Sequence, residues 1–142
     1  MHWVVVAHLV AVGAYAGFQW TVHLVVYPQF TGVPASAFAA YERAHQRRLS
    51  VLVGPLFGAL VLSTSLLVVA GPPALPWWGL AGSVVLLLVV LGTTAALAVP
   101  LHRRLGTGWD AGAHQALVRV DAVRVAAATA DVVLAVTLAL GT

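Results

Sequence analysis

An integral membrane bundle of four α-helices, running up-down-up-down with both termini on the same outer side, is the fold class this sequence predicts. Three observations carry it. Of 142 residues, 61% are hydrophobic and only 8% are charged, with a mean hydropathy of +0.98, a composition that suits lipid rather than water. The apolar sequence divides into four stretches, each at or above the roughly 20 residues a span requires. Proline- and glycine-rich turns separate them, and most of the arginines gather at the ends of these stretches.

The first span is expected over 3–29. MHWVVVAHLVAVGAYAGFQW lacks the basic start of a signal peptide and runs on as apolar sequence, so it reads as a retained helix. Tyr27-Pro28 ends it, because proline removes a backbone donor and restricts the residue before it. After TGVPAS a helix from about 35 carries AAYERAHQRRLS and continues as a second span over 46–70. GPPALP breaks the chain, and a third span covers 76–102, closing on VPLHRR. LGTGWD turns into the fourth span, 112–140. These lengths leave no room for a separate soluble unit, so residues 1–142 read as a single transmembrane domain.

Four spans place the connections near 30–35 and 103–109 on one side. Arg43, Arg47, Arg48, Arg103 and Arg104 lie on that side, while the turn at 71–76 carries no charge. The positive-inside rule makes the first two loops cytoplasmic and the protein a multi-pass component of the cell (inner) membrane. Trp3, Trp77 and Trp78 then fall at the outer interface and Trp109 at the inner one. Basic charge confined to span flanks does not describe a nucleic-acid surface. The absence of cysteine excludes disulfides, thiolate metal sites and cysteine nucleophiles.

An ionisable residue inside a span is costly unless it faces the bundle interior and finds a partner. Helical spacing gives each span one polar stripe. Span one has Tyr15, Gln19, His23 and Tyr27 at intervals of four, with His8 on the same side. Span two turns Tyr41, His45 and Arg48 inward, with Glu42 beside them. Span three aligns Thr94, Ala98 and His102, and span four aligns His114, Leu117, Asp121, Arg124, Ala128 and Asp131. His23, His45, His102 and Asp121 fall at a similar depth in the cytoplasmic half. Facing stripes in a four-helix bundle are where metal and cofactor sites are built.

The expected centre is a metal site with His23, His45 and His102 as ligands and Asp121 or Glu42 supplying or orienting through a carboxylate. Arg124 orients that carboxylate, Gln19 and Arg48 line the cofactor pocket, and Tyr27 and Tyr41 donate protons or electrons. Pro28, Pro55 and Pro100 each free a carbonyl four residues back and permit a kink beside the site. The competing structural readings are an internal Asp121–Arg124 ion pair, His102, His114 and His2 as interfacial residues, and His8 paired with Asp131.

A ferritin-like di-iron centre needs four glutamates, and this chain has one, Glu42. Three imidazoles and an oxygen ligand suit copper, zinc or mononuclear iron. No HExxH or nucleophile elbow supports hydrolysis, so copper or iron acting with oxygen on a hydrophobic small molecule is the favoured chemistry: a membrane-embedded, metal-dependent oxidoreductase. Two alternatives remain. His23 and His102 could ligate a b-type haem for electron transfer, or the polar stripes could line a path for protons or a small substrate without any cofactor. Ala- and Gly-rich faces of spans three and four would permit a homo-oligomer.

The order VVYPQF, YERAHQRR, VPLHRRLGTG and L-x-x-x-D-x-x-R resembles the small four-span membrane proteins grouped with the anthrone oxygenases. The resemblance covers most of the chain in layout. It implies oxygenation of a hydrophobic or aromatic substrate, with Tyr27, Pro28, His45, His102 and Arg124 at matching positions. Members of that family often carry asparagine or another polar residue where this chain has Asp121, and many lack His23.

Overall fold

The structure, a computed structural model, describes residues 3–141. Four helices in it are long and apolar enough to cross a membrane: α1, Trp3–Gly32; α2, Ala35–Ala70; α3, Trp77–Leu105; and α4, Ala111–Leu140. No strand occurs among the described residues. Short connections join successive helices, and each helix packs against its sequence neighbours, with α4 returning to α1 to close a ring. The contacts His8–Ser63 at one end and Tyr27–His102 at the other show the helices alternating in direction.

Polar side chains face inward and apolar ones outward in much of this ring. Val51, Leu62, Val69, Val85, Leu88, Val123 and Val133 are all exposed, while Gln19, Glu42 and Asp121 are buried. Between the helices, apolar layers alternate with polar ones: Val4, Val5, Leu67 and Leu138 near the termini, then Val12, Leu60, Val90 and Ala128 at mid-length. Phe30, Phe38, Leu105 and Leu117 close the end that carries the arginines. Gly79 and Gly82 let α3 approach α4 closely, since a Cβ at Gly79 would stand 2.5 Å from Leu138 Cδ2.

The two loops expected on one side do share one end, where Arg43 Nη1 donates to Gly106 O at 3.0 Å and the Phe38 and Trp109 rings meet at 4.9 Å. α2 has 36 residues, about 54 Å at 1.5 Å per residue, so it outruns a hydrocarbon core of about 30 Å. Its surplus first turns carry Tyr41 to Arg48. Asp110 starts α4 by accepting from the backbone N–H of Ala113 at 2.8 Å, and it also pairs with Arg104.

Two prolines act as their chemistry dictates, and the third does not. Before Pro28 and before Pro100 the helix opens into a π turn, Val22–Val26 in α1 and Thr94–Ala98 in α3. The N–H of Tyr27 reaches back five residues to Val22 O, and that of Val99 to Thr94 O. Proline's ring crowds the carbonyl four residues before it, and a wider turn relieves that contact. Pro55 sits inside an unbroken helix.

Candidate metal centre and cavity

The arginine-bearing half of the bundle brings Glu42, His45 and His102 together, each offering a ligand atom within 4.8 Å of the others. Glu42 lies one turn before Gln46 on α2 and is completely buried. Its Oε1 accepts from His102 Nδ1 at 2.5 Å and from Gln46 Nε2 at 3.1 Å. Gln46 Nε2 also donates to His102 O at 2.9 Å, clamping α2 onto α3. The second carboxylate oxygen, Oε2, and His45 Nε2 are both buried without a hydrogen-bond partner.

His45 is positioned by rings. Tyr41 stacks on it with planes 14° apart, Phe30 meets it edge-on at 5.0 Å, and the His102 ring lies 5.8 Å away at 27°. Those contacts fix the plane of the imidazole and leave Nε2 free.

A chain of hydrogen bonds runs from this group across the bundle. An ionised Glu42 only accepts, so His102 Nδ1 carries the hydrogen and His102 Nε2 accepts from Tyr27 O–H at 3.1 Å. Arg124 Nη2 donates to Tyr27 Oη at 3.2 Å and to Asp121 Oδ1 at 2.7 Å. Asp121 Oδ1 also accepts from Gln19 Nε2, and Oδ2 accepts from His23 Nδ1 at 2.9 Å. Tyr15 O–H completes the set by donating to Gln19 Oε1 at 3.0 Å.

Beside this wall lies a cavity of about 360 Å³. Phe18, Val22, Leu49, Val53, Phe57 and Val99 form its apolar sides, and Gln19, Tyr27, His45, His102 and Arg124 form its polar end. Arg124 Nε is buried without a partner. A mostly apolar pocket with a few convergent polar groups is the usual form of a small-molecule site.

The expected ligand set divides in two. His45, His102 and Glu42 meet, whereas His23 and Asp121 form a separate pair on the far side of Arg124. His23 keeps the face of Gln19, since both donate to Asp121, but it stands apart from His45 and His102. Its ring instead borders an open groove shared with Trp20, Ala126 and Thr129. Arg48 does not turn inward; it is exposed, at the edge of a small recess with Tyr41 and His45. Arg43 and Arg47 are exposed as span flanks.

Among the interfacial assignments, His114 is corrected: it is buried and its Nε2 donates to Tyr27 O at 2.9 Å. His102 is also drawn in, held by both nitrogens. His2 lies outside the described residues. Gln46 was not signalled by the sequence, although its spacing of four from Glu42 is the feature that marks the pair.

Comparison with known proteins yields no relative: no family model, no curated protein and no solved structure matches this chain.

The residues fit a metal ion. Glu42 Oε2 and His45 Nε2 are buried and unsatisfied, so coordination through them would cost no existing bond. His102 would exchange one of its two hydrogen bonds for the metal. Glutamate with two histidines is the donor set of the 2-His-1-carboxylate sites that hold non-haem iron with open positions.

Proposed function

We propose that the protein is a membrane-embedded, metal-dependent oxidoreductase of the oxygenase type, acting on a hydrophobic small molecule within the bundle. The observation that carries this reading is the 2-His-1-carboxylate group at the polar end of an apolar cavity. The earlier resemblance to anthrone oxygenase-like proteins is in keeping with it, through Tyr27, His45, His102 and Arg124. Iron is favoured over copper because the donor set has a carboxylate and no sulfur ligand.

In this reading Glu42, His45 and His102 hold the ion, which supplies redox chemistry with dioxygen. The apolar walls take the substrate from the bilayer and exclude water. Arg124 and Gln19, which line the polar end of the cavity, fix a polar atom of the substrate. Tyr27 Oη accepts from the Arg124 guanidinium, which stabilises the phenolate if the Tyr27 proton leaves; with His102 Nε2 taken by the ion, that proton is free to be given to the substrate. His114 holds the backbone of Tyr27 in place.

The exposed apolar belt is lipid-facing, and the arginine-bearing loops near 30–35 and 103–109 are cytoplasmic by the positive-inside rule, in the cell (inner) membrane. Both termini then lie outside. The haem alternative draws less from the geometry, since His23 is tied to Asp121 and borders a different groove from His102.

Anaerobic titration with ferrous ion tests the reading. Saturable binding is expected for the wild type and its loss in Glu42→Gln, His45→Ala and His102→Ala. Dioxygen consumption by the iron-loaded, bilayer-reconstituted protein, screened with hydrophobic aromatic compounds, then tests the chemistry. Binding that all three variants retain would remove the proposed site.

A further inference from the structure

A second buried polar group lies in the opposite half of the bundle, and the proposed function does not use it. His8 of α1 is fully buried between two serines: Nδ1 is 3.3 Å from Ser63 Oγ of α2, and Nε2 is 3.3 Å from Ser83 Oγ of α3. Asp131 of α4 places Oδ1 3.8 Å from His8 Nε2, beyond hydrogen-bond range. That oxygen is buried without a hydrogen-bond partner. All four helices therefore contribute at one level, roughly 8 to 14 Å from their terminal ends at 1.5 Å per residue.

The hydrogen positions follow from the acceptors. Ser63 O–H donates to Leu60 O at 3.3 Å, so its oxygen accepts from His8 Nδ1–H. Only Nε2 is left to gain or lose a hydrogen, and it faces the Ser83 hydroxyl and the unbonded Asp131 oxygen. A purely structural polar pair would close this gap and satisfy the carboxylate. Here the carboxylate oxygen keeps an open position, and Nε2, paired only with a hydroxyl that can donate or accept, can hold a proton or not.

No other described titratable group competes. α2 and α3 offer only hydroxyls at this level. On α1 the next is Tyr15, and on α4 it is Arg124, each seven residues away or about 10 Å along its helix. Val12, Leu60, Val90 and Ala128 form an apolar layer between this group and the cavity.

We propose that His8 and Asp131, bracketed by Ser63 and Ser83, form a second intramembrane site that binds and exchanges a proton independently of the metal group. The pair holds one proton, on His8 Nε2 or on Asp131 Oδ1, 3.8 Å apart, with the Ser83 hydroxyl beside Nε2. Either arrangement leaves the pair with no net charge, and uptake or release of a proton changes the charge within an apolar layer. The contacts of all four helices thus depend on the proton count at this level.

The test is nitrogen NMR of ¹⁵N-histidine-labelled protein in lipid bilayers, with His8 assigned as the signal lost in His8→Asn. Across a pH series, His8 Nε2 is expected to exchange between its unprotonated and protonated positions. Asp131→Asn should shift the midpoint by about one pH unit or more, and Glu42→Gln should not shift it. If Asp131→Asn fails to fold, Ser83→Ala keeps both titrating groups and should still show the transition. A His8 signal fixed in one state across the range in wild type and Ser83→Ala overturns the proposal. So does a midpoint that Glu42→Gln moves as far as Asp131→Asn.

Discussion

Replacing Arg124 by methionine removes the cation that Asp121 and Tyr27 share while keeping an unbranched side chain in the same space. Asp121 is fully buried, Arg124 is 7% exposed, and Arg124 Nη2 stands 2.7 Å from Asp121 Oδ1. At that distance and an effective dielectric constant near 20, the attraction is about 6 kcal/mol. Dehydration of both charges offsets much of it, so the variant mainly reveals the cost of a carboxylate left unpaired, about 3–5 kcal/mol. Gln19 and His23 still donate to Asp121, which places the expected loss near the lower end, about 3 kcal/mol.

Asp121→Asn in the Arg124→Met background removes the stranded charge. The double variant should recover much of the loss, giving a coupling energy of about 2 kcal/mol. Reversible unfolding of the four chains in bicelles measures the cycle. An Arg124→Met cost under about 1 kcal/mol, or strictly additive variants, would refute a buried ion pair at the centre of the network.

Other predictions follow from single contacts. Glu42→Gln keeps a side chain that Gln46 can still bind but removes the anionic ligand, and metal affinity measured by calorimetry should fall at least about 10–100-fold. His114→Leu removes the side-chain donor to Tyr27 O, which keeps the Phe30 N–H, and unfolding in bicelles should show a loss of about 0.5–1.5 kcal/mol. Asp110, at the loop end of α4, has its carboxyl held below the ordinary value of 3.8, first by the Ala113 N–H and further by Arg104. Because the folded form favours the carboxylate, the cap's contribution is complete above that ordinary value and disappears as pH falls through the lower folded one. Hydrogen exchange at the first turn of α4 should accelerate below about pH 4 in wild type, and Asp110→Asn should lack that dependence.

The four apolar helices were legible because hydropathy and proline-glycine breaks act locally, and the shared end of the two arginine-bearing loops followed from counting spans. Inward positions such as Gln19, Asp121 and Arg124 followed from helical spacing on stretches that remain α-helical. His23 also met Asp121 as the spacing predicts, but its separation from His45 and His102 depends on distances across the bundle that periodicity does not encode. Glu42 was placed beside the inward face, and its complete burial depends on where His102 of α3 lies, a distance between helices that periodicity does not encode. The same limit applies to His114, whose partner is a backbone carbonyl on α1. Arg48 shows the converse, as a residue near the inward stripe that solvation draws outward at the helix end.

Metal content is the most direct measure of the central claim that Glu42, His45 and His102 form a coordination site. The protein, purified without chelators, loaded anaerobically with ferrous ion and desalted, is assayed by elemental analysis beside His45→Phe. His45 Nε2 has no protein partner, so this variant should fold with little loss of stability while failing to hold the ion. About one iron per wild-type chain is expected, as a single 2-His-1-carboxylate group would bind, and a loss of more than about tenfold in the variant. Less than about a tenth of an equivalent in the wild type, or equal iron in a folded His45→Phe, would contradict it.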